Sequence, residues 1–296
     1  MTDVHALDLP FLGARRVLAC GVVPVEGGVA LVDPGPSTML PAVEAGLGAL
    51  GHDLDDVRAL LLTHIHLDHA GAAGTLARRL GVPVWVHEVG ARHLARPEKL
   101  IASATRLYGD RMDELWGAFE AVPEPSLRPL AGGEAVEVGG RALDVAYTPG
   151  HAVHHVAYFD RATATAFVGD TVGMAAPPSG RVLPVTPPPD VDLEAWPASL
   201  DRIAAWEPER LFRMHWGTSE TPAADLATFR AALDAWAARV RADLADADAD
   251  RARQAATFSS EILNALDADL GAEAAAPYRA LLYPDASWHG LARALR

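Results

Sequence analysis

The chain has one cysteine, Cys20, so no internal disulfide can form; it sits in an apolar run and reads as a small core residue. Positive charge is also scarce. Lys and Arg number 25 against 39 Asp and Glu, and the formal net charge of -14 argues against a protein that grips a phosphate backbone. Nucleic acid is therefore not an expected partner. No apolar stretch reaches membrane-spanning length, and the opening MTDVHALDLP has neither the basic start nor the apolar run of a secretion signal. The expectation is a cytoplasmic protein without membrane contact. What the chain has in quantity is apolar: half of its 296 residues are hydrophobic, enough for a large core, so disorder is excluded.

Against this background the run Thr63-His64-Ile65-His66-Leu67-Asp68-His69 stands out, with three imidazoles and a carboxylate in six residues. If Val57 to Leu62 is a strand that ends here, His64 and His66 point to one face because strand side chains alternate. A turn at Leu67 would then bring Asp68 and His69 beside them. Imidazole and carboxylate suit zinc, and no nearby cysteine suggests a structural Cys-rich site. Four other residues follow apolar strand-like runs: Asp33 after VALV, His151 after ALDVAY and a TPG turn, Asp170 after AFVG, and His215 after LFRM. Strand ends are where a scaffold holds ligands rigidly yet open to substrate.

Periodicity predicts strands near 17–25, 28–33, 57–63, 82–86, 134–138, 141–147, 154–159 and 164–168, with another delivering His215. Helices are expected over 72–80, 98–120 and 193–206. The six prolines between Pro177 and Pro189 exclude regular helix or a central strand, leaving a loop beyond Asp170. From Ala223 the chain is alanine-rich, with Phe229, Leu233, Trp236, Val240 and Leu244 at helical spacing, and further helical stretches near 250–268 and 271–282.

The ordered set THIHLDH, TPGH, FVGDT and MHWG resembles the metallo-beta-lactamase-fold hydrolases, over about residues 15 to 220. The resemblance implies an α+β fold, a four-layer αββα sandwich. With it go a catalytic domain over 1–221 and a helical C-terminal extension over 222–296 that covers the site or pairs two subunits into a homodimer. It also implies a metal pair, expected as two zinc ions with iron or manganese as alternatives. His64, His66 and His151 would hold one, Asp68, His69 and His215 the other, and Asp170 would bridge them. Asp33 would orient a ligand imidazole. The implied activity is hydrolysis of an ester or thioester of a small molecule by a metal-bridging hydroxide, with Asp68 also carrying a proton to the leaving group. Lactonase, phosphodiesterase and iron-dependent sulfur dioxygenase chemistries use related sites. Against the lactonases, Gly173 stands where those that match best carry a substrate-contacting tyrosine.

Other histidines divide. His154 departs from the glycine many relatives carry and is a candidate substrate contact, while His155 reads as a buried strand histidine, one of the pair facing in and one out. His87 and His93 lie where the family supplies no ligands, and His5, His52 and His289 read as surface residues.

Overall fold

Neighbouring residues in the strands part company, one joining the core between two sheets and the next the core under the helices. Ala19, Ala30 and Ala59 belong to the first of these, and Cys20, Leu31 and Leu60 to the second. The computed structural model describes residues 3–246 and 248–296. The first sheet runs in the order β1 (His5–Phe11), β2 (Ala14–Val25), β3 (Gly28–Val32), β4 (Val57–Leu61), β5 (Val84–His87), β6 (Leu127–Leu130). Its first three strands are antiparallel, and β3 to β6 are parallel. The parallel crossovers are filled by α1 (Leu40–Ala49), the short α2 (Leu67–Ala70), α3 (Ala73–Leu80), α4 (Glu88–Ala95), α5 (Glu98–Tyr108) and α6 (Met112–Leu115).

The second sheet contains β7 (Ala135–Val138), β8 (Arg141–Tyr147), β9 (Val156–Asp160) and β10 (Thr165–Phe167). A ribbon of β11 (Met174–Ala176) and β12 (Arg181–Leu183) follows, then α7 (Trp196–Ala204). β13 (Arg210–Arg213) joins the sheet parallel to β10, and β14 (Gly217–Ser219) closes its edge. Val145, Tyr158, Phe167 and Phe212 meet Val23, Val32 and Leu61 between the sheets. Helices cover the outer faces, which gives the expected αββα layering.

The tail forms α8 (Pro222–Ala245), α9 (Arg251–Leu270), α10 (Ala272–Leu282) and α11 (Pro284–Ala294). Phe229, Phe258 and Trp288 pack into the core of the second sheet, whereas Leu266, Tyr278 and Leu282 join that of the first. No helix among the described residues is long and apolar enough to cross a membrane.

Several predicted elements are shorter than expected. The fourth strand stops at Leu61, and the turn expected at Leu67 takes the form of one helical turn, Leu67–Ala70. The helix over 98–120 breaks at Gly109, whose φ of +55° leaves the helical region, and ends at Leu115. The Pro-rich segment is not wholly irregular, because Arg181–Leu183 pairs as a two-stranded ribbon outside the sheets.

Candidate metal centre

All the sequence-nominated residues follow strand ends on one edge of the sandwich. Asp33 comes after β3, His64 to His69 after β4, His151 after β8, Asp170 after β10 and His215 after β13. The turn carrying Asp170 depends on Gly169, with φ of +45°; a Cβ there would lie 2.5 Å from both Thr63 Oγ1 and His155 Nε2.

Two clusters result. His64 Nε2 and His151 Nε2 lie 3.0 and 2.9 Å from His66 Nδ1. His215 Nε2 lies 3.3 Å from His69 Nε2 and 3.2 Å from Asp68 Oδ2. Asp170 faces both: Oδ1 is 3.2 Å from His69 Nε2 and 3.4 Å from His215 Nε2, and Oδ2 is 3.6 Å from His151 Nε2. His64, His69 and Asp170 also converge as a group.

Hydrogen bonds fix the tautomers. His151 Nδ1 donates to the Val185 carbonyl at 2.7 Å, and His69 Nδ1 donates to Asp33 Oδ2 at 2.8 Å. Thr63 Oγ1 donates to the same Asp33 oxygen at 2.7 Å, which leaves it to accept from His64 Nδ1 at 3.1 Å. Asp33 Oδ1 takes the Thr63 N–H at 2.8 Å. One buried carboxylate, on a backbone with φ of +50°, therefore sets two imidazoles, His69 directly and His64 through Thr63. With Nδ1 carrying the proton in each of the three, Nε2 is the nitrogen turned inward, and in His64 and His151 it is a bare acceptor.

The electrostatics call for a cation. Burial and the neighbouring imidazoles hold His64 well below the usual histidine range, and burial with His151 pushes His66 down to about 3. His151 is lowered by burial. Burial works against charge on His69, but Asp170, Asp33 and Asp68 outweigh it and hold its pKa well above the ordinary value. Burial raises Asp170 and Asp68, yet His215 and His69 beside them bring both below the usual carboxylate range. Asp170 Oδ1 and His215 Nδ1 are buried without hydrogen-bond partners. Bare nitrogens about 3 Å apart repel one another unless a proton or cation lies between them. Zn–N bonds of about 2.0 Å in a tetrahedron separate ligand nitrogens by about 3.3 Å, so the donor set fits metal ions.

A cleft of about 510 Å³ opens over His66, Asp68 and Asp170. α5 forms one wall, Val185 and the Pro187–Pro189 segment another, and Leu281, Leu282 and Tyr283 a third. His154 lines it, with Nε2 3.8 Å from Asp190. His154 and His155 are both buried, against the expectation of one facing outward, because neither lies in the strand: β9 begins at Val156. His155 accepts from the Asp170 N–H at 3.2 Å and bonds the Thr148 hydroxyl at 2.9 Å, so it braces the Asp170 turn. His93, set aside in the sequence, lines the cleft. His87 lies elsewhere, capping α4 through Val89 N–H and stacking on Tyr147. Of these walls, the Pro-rich segment and the tail were open to a sequence reading, as a rim loop beyond Asp170 and as a cover for the site, whereas α5 was missed as a wall because its lining residues share no local motif.

The sequence pattern of the metallo-beta-lactamase superfamily matches residues 16–215. A metallo-beta-lactamase fold-containing protein, ST1585 of Sulfurisphaera tokodaii, is 30% identical over 167 residues, 55% of this chain and 62% of that one. The crystal structure of ST1585 superposes with a TM-score of 0.69 at 22% identity, covering 98% of each chain. A hydroxyacylglutathione hydrolase of Acidiphilium cryptum is 35% identical over 185 residues, 62% of this chain and 58% of its own length. The sequence matches thus span about three fifths of these relatives. A metallo-beta-lactamase family protein of Thermus thermophilus, TTHA1429, matches in structure with a TM-score of 0.66 at 26% identity, over 94% of this chain and 93% of that one. With this pattern matched over most of its length, the chain belongs to the metallo-beta-lactamase superfamily.

Proposed function

We propose that the protein is a binuclear zinc hydrolase that cleaves an ester or thioester of a small molecule. The observation that carries this reading is Asp170, whose two oxygens face separate histidine clusters beneath an open cleft. His64, His66 and His151 would hold one ion, Asp68, His69 and His215 the other, with Asp170 shared. Zinc ions held there would supply Lewis acidity toward the acyl carbonyl and make hydroxide available near neutral pH. Asp33 and Thr63 hold the Nδ1 protons of His69 and His64, so Nε2 is the nitrogen each imidazole would offer to an ion. Asp68 lines the cleft with its side chain 16% exposed, so its carboxylate can take a proton and pass it to the leaving group.

The relatives named hydroxyacylglutathione hydrolase support an acyl bond as the target. Gly173 argues against the lactonases that place a tyrosine there: a Cβ would lie 2.4 Å from the Leu183 carbonyl and 2.8 Å from Phe229, so no side chain fits. The reading is tested by elemental analysis of protein purified without added metal, with thioesters, lactones and phosphodiesters assayed on the same sample. About two zinc ions per chain and acyl cleavage are expected. One iron and no hydrolysis would sink it and favour the oxygen-using branch.

A further inference from the structure

α5 turns two parallel stripes toward the cleft. Leu100, Ala104 and Leu107 follow helical spacing, and Lys99, Ser103 and Arg106 repeat it one residue earlier. Ala104 is buried and, with Leu281 and Leu282 across from it, makes the deeper apolar part. Lys99, Ser103 and Arg106 are exposed at the mouth.

Two cations of the chain, Lys99 and Arg106, stand on this lip. Lys99 is the chain's only lysine, and it stands in the first turn of α5, where the helix dipole disfavours a positive charge. Neighbouring Arg96 and Arg111 pair with Glu124 and Glu114, whereas Lys99 and Arg106 make no ion pair among the described residues. The carboxylates that share the cleft are Asp68, Asp170 and Asp190, of which the first two belong to the histidine clusters and the third faces His154. A net charge of -14 repels an anionic ligand, so holding one requires a local concentration of positive charge such as this lip.

Resting on the acyl-hydrolase reading, we infer that the substrate joins an apolar acyl chain to a leaving group bearing phosphate or carboxylate. The chain lies against Ala104, Leu107, Leu281 and Leu282, and Lys99 and Arg106 hold the anion. This orientation follows from depth, since the apolar end gains by leaving water and the charged end keeps its hydration at the mouth. In the reaction water adds to the acyl carbon and the C–S or C–O bond breaks. The bonding pair leaves with sulfur or oxygen, which takes the water's second proton, and an acid and an anionic thiol or alcohol are released.

The test compares hexanoyl thioesters of coenzyme A, with phosphates, of glutathione, with carboxylates, and of neutral N-acetylcysteamine, using metal-loaded protein. The Lys99→Ala/Arg106→Ala variant is set beside wild type and the exposed control Arg241→Ala. The double variant should raise KM for a charged thioester roughly tenfold more than for the neutral one, with kcat nearly kept. Whichever charged thioester responds identifies the anion. Equal losses on charged and neutral substrates, or no wild-type preference for charge, would overturn the inference. If wild type cleaves no thioester or ester, the hydrolase reading fails by itself. Calorimetric titration with coenzyme A and glutathione then judges the cation pair: binding lost in the double variant sustains it, and absent or unchanged binding overturns it.

Discussion

Replacing Asp33 by Asn keeps the shape and the backbone conformation of the residue, since Asn tolerates φ near +50°, and changes only what its side chain can accept. The native carboxylate accepts at both oxygens: Thr63 N–H on Oδ1, and Thr63 O–H and His69 Nδ1–H on Oδ2. An amide has one oxygen. If it faces Thr63 N–H, the NH2 meets Nδ1 of His69 and forces the proton to Nε2, the atom turned toward Asp170 and His215. If it faces His69, the NH2 confronts the Thr63 N–H. Either way a buried donor or the metal-facing nitrogen is lost. Loss of one hydrogen bond to a charged group costs about 1.5–3 kcal/mol of folding stability. Disturbing the partner of a metal-bound imidazole weakens metal binding by about 10–100-fold. The assays are the denaturant midpoint of the metal-free chain and zinc competition against a chelator, wild type beside Asp33→Asn. Zinc affinity within twofold of wild type would refute the argument that Asp33 sets the His69 tautomer.

Asp170→Ala should reduce bound metal and abolish hydrolysis, measured by elemental analysis and assay; full metal occupancy would remove Asp170 from the bridging role. His87→Ala, at a residue outside both clusters and the cleft lining, should cost about 1 kcal/mol through its lost cap while metal content holds. In Gly290→Ala the new Cβ would come 2.0 Å from the Thr186 carbonyl, pressing α11 on the wall that carries Pro187–Pro189. About 1–3 kcal/mol of overpacking is expected, with a KM rise larger than any loss of zinc, and an unchanged KM would separate α11 from the cleft. Burial lowers His64, His66, His151, His154 and His155, while His69 alone among these histidines is raised. An imidazole kept neutral in the fold but not in the unfolded chain withdraws stability as pH falls through about 6.5, roughly 1.4 kcal/mol each by pH 5.5. His69 works in the opposite sense, its contribution being present at low pH and lost as pH rises. The metal-free chain should therefore show a lower urea midpoint at pH 5.5 than at pH 7.5, and a higher one would contradict the lowered majority.

What the sequence made legible was what a short stretch can encode. His64, His66, Asp68 and His69 are bound together by one strand end and one helical turn, and His151, Asp170 and His215 by the same apolar-run-then-turn pattern, so the candidate ligands could be named from local pattern, and the family resemblance then sorted them into two clusters. The edge strand β6 was invisible because Leu127–Leu130 is four residues long and contains Pro129, which only an edge admits. β1 escaped for want of a bounding turn before it. The connection from Asp33 through Thr63 to His64 has no sequence signature, since it requires β3 and β4 to lie side by side. The cleft is the extreme case: Leu282 and Tyr283 reach it from the far end of the chain, held there by contacts such as Thr186 Oγ1 donating to the Ser287 carbonyl. Chemistry in this fold is written at strand ends, where local pattern reveals it. Selectivity is written in walls assembled from α5, the Pro-rich segment and the tail, so proteins with the same clusters can differ in substrate while their motifs read alike.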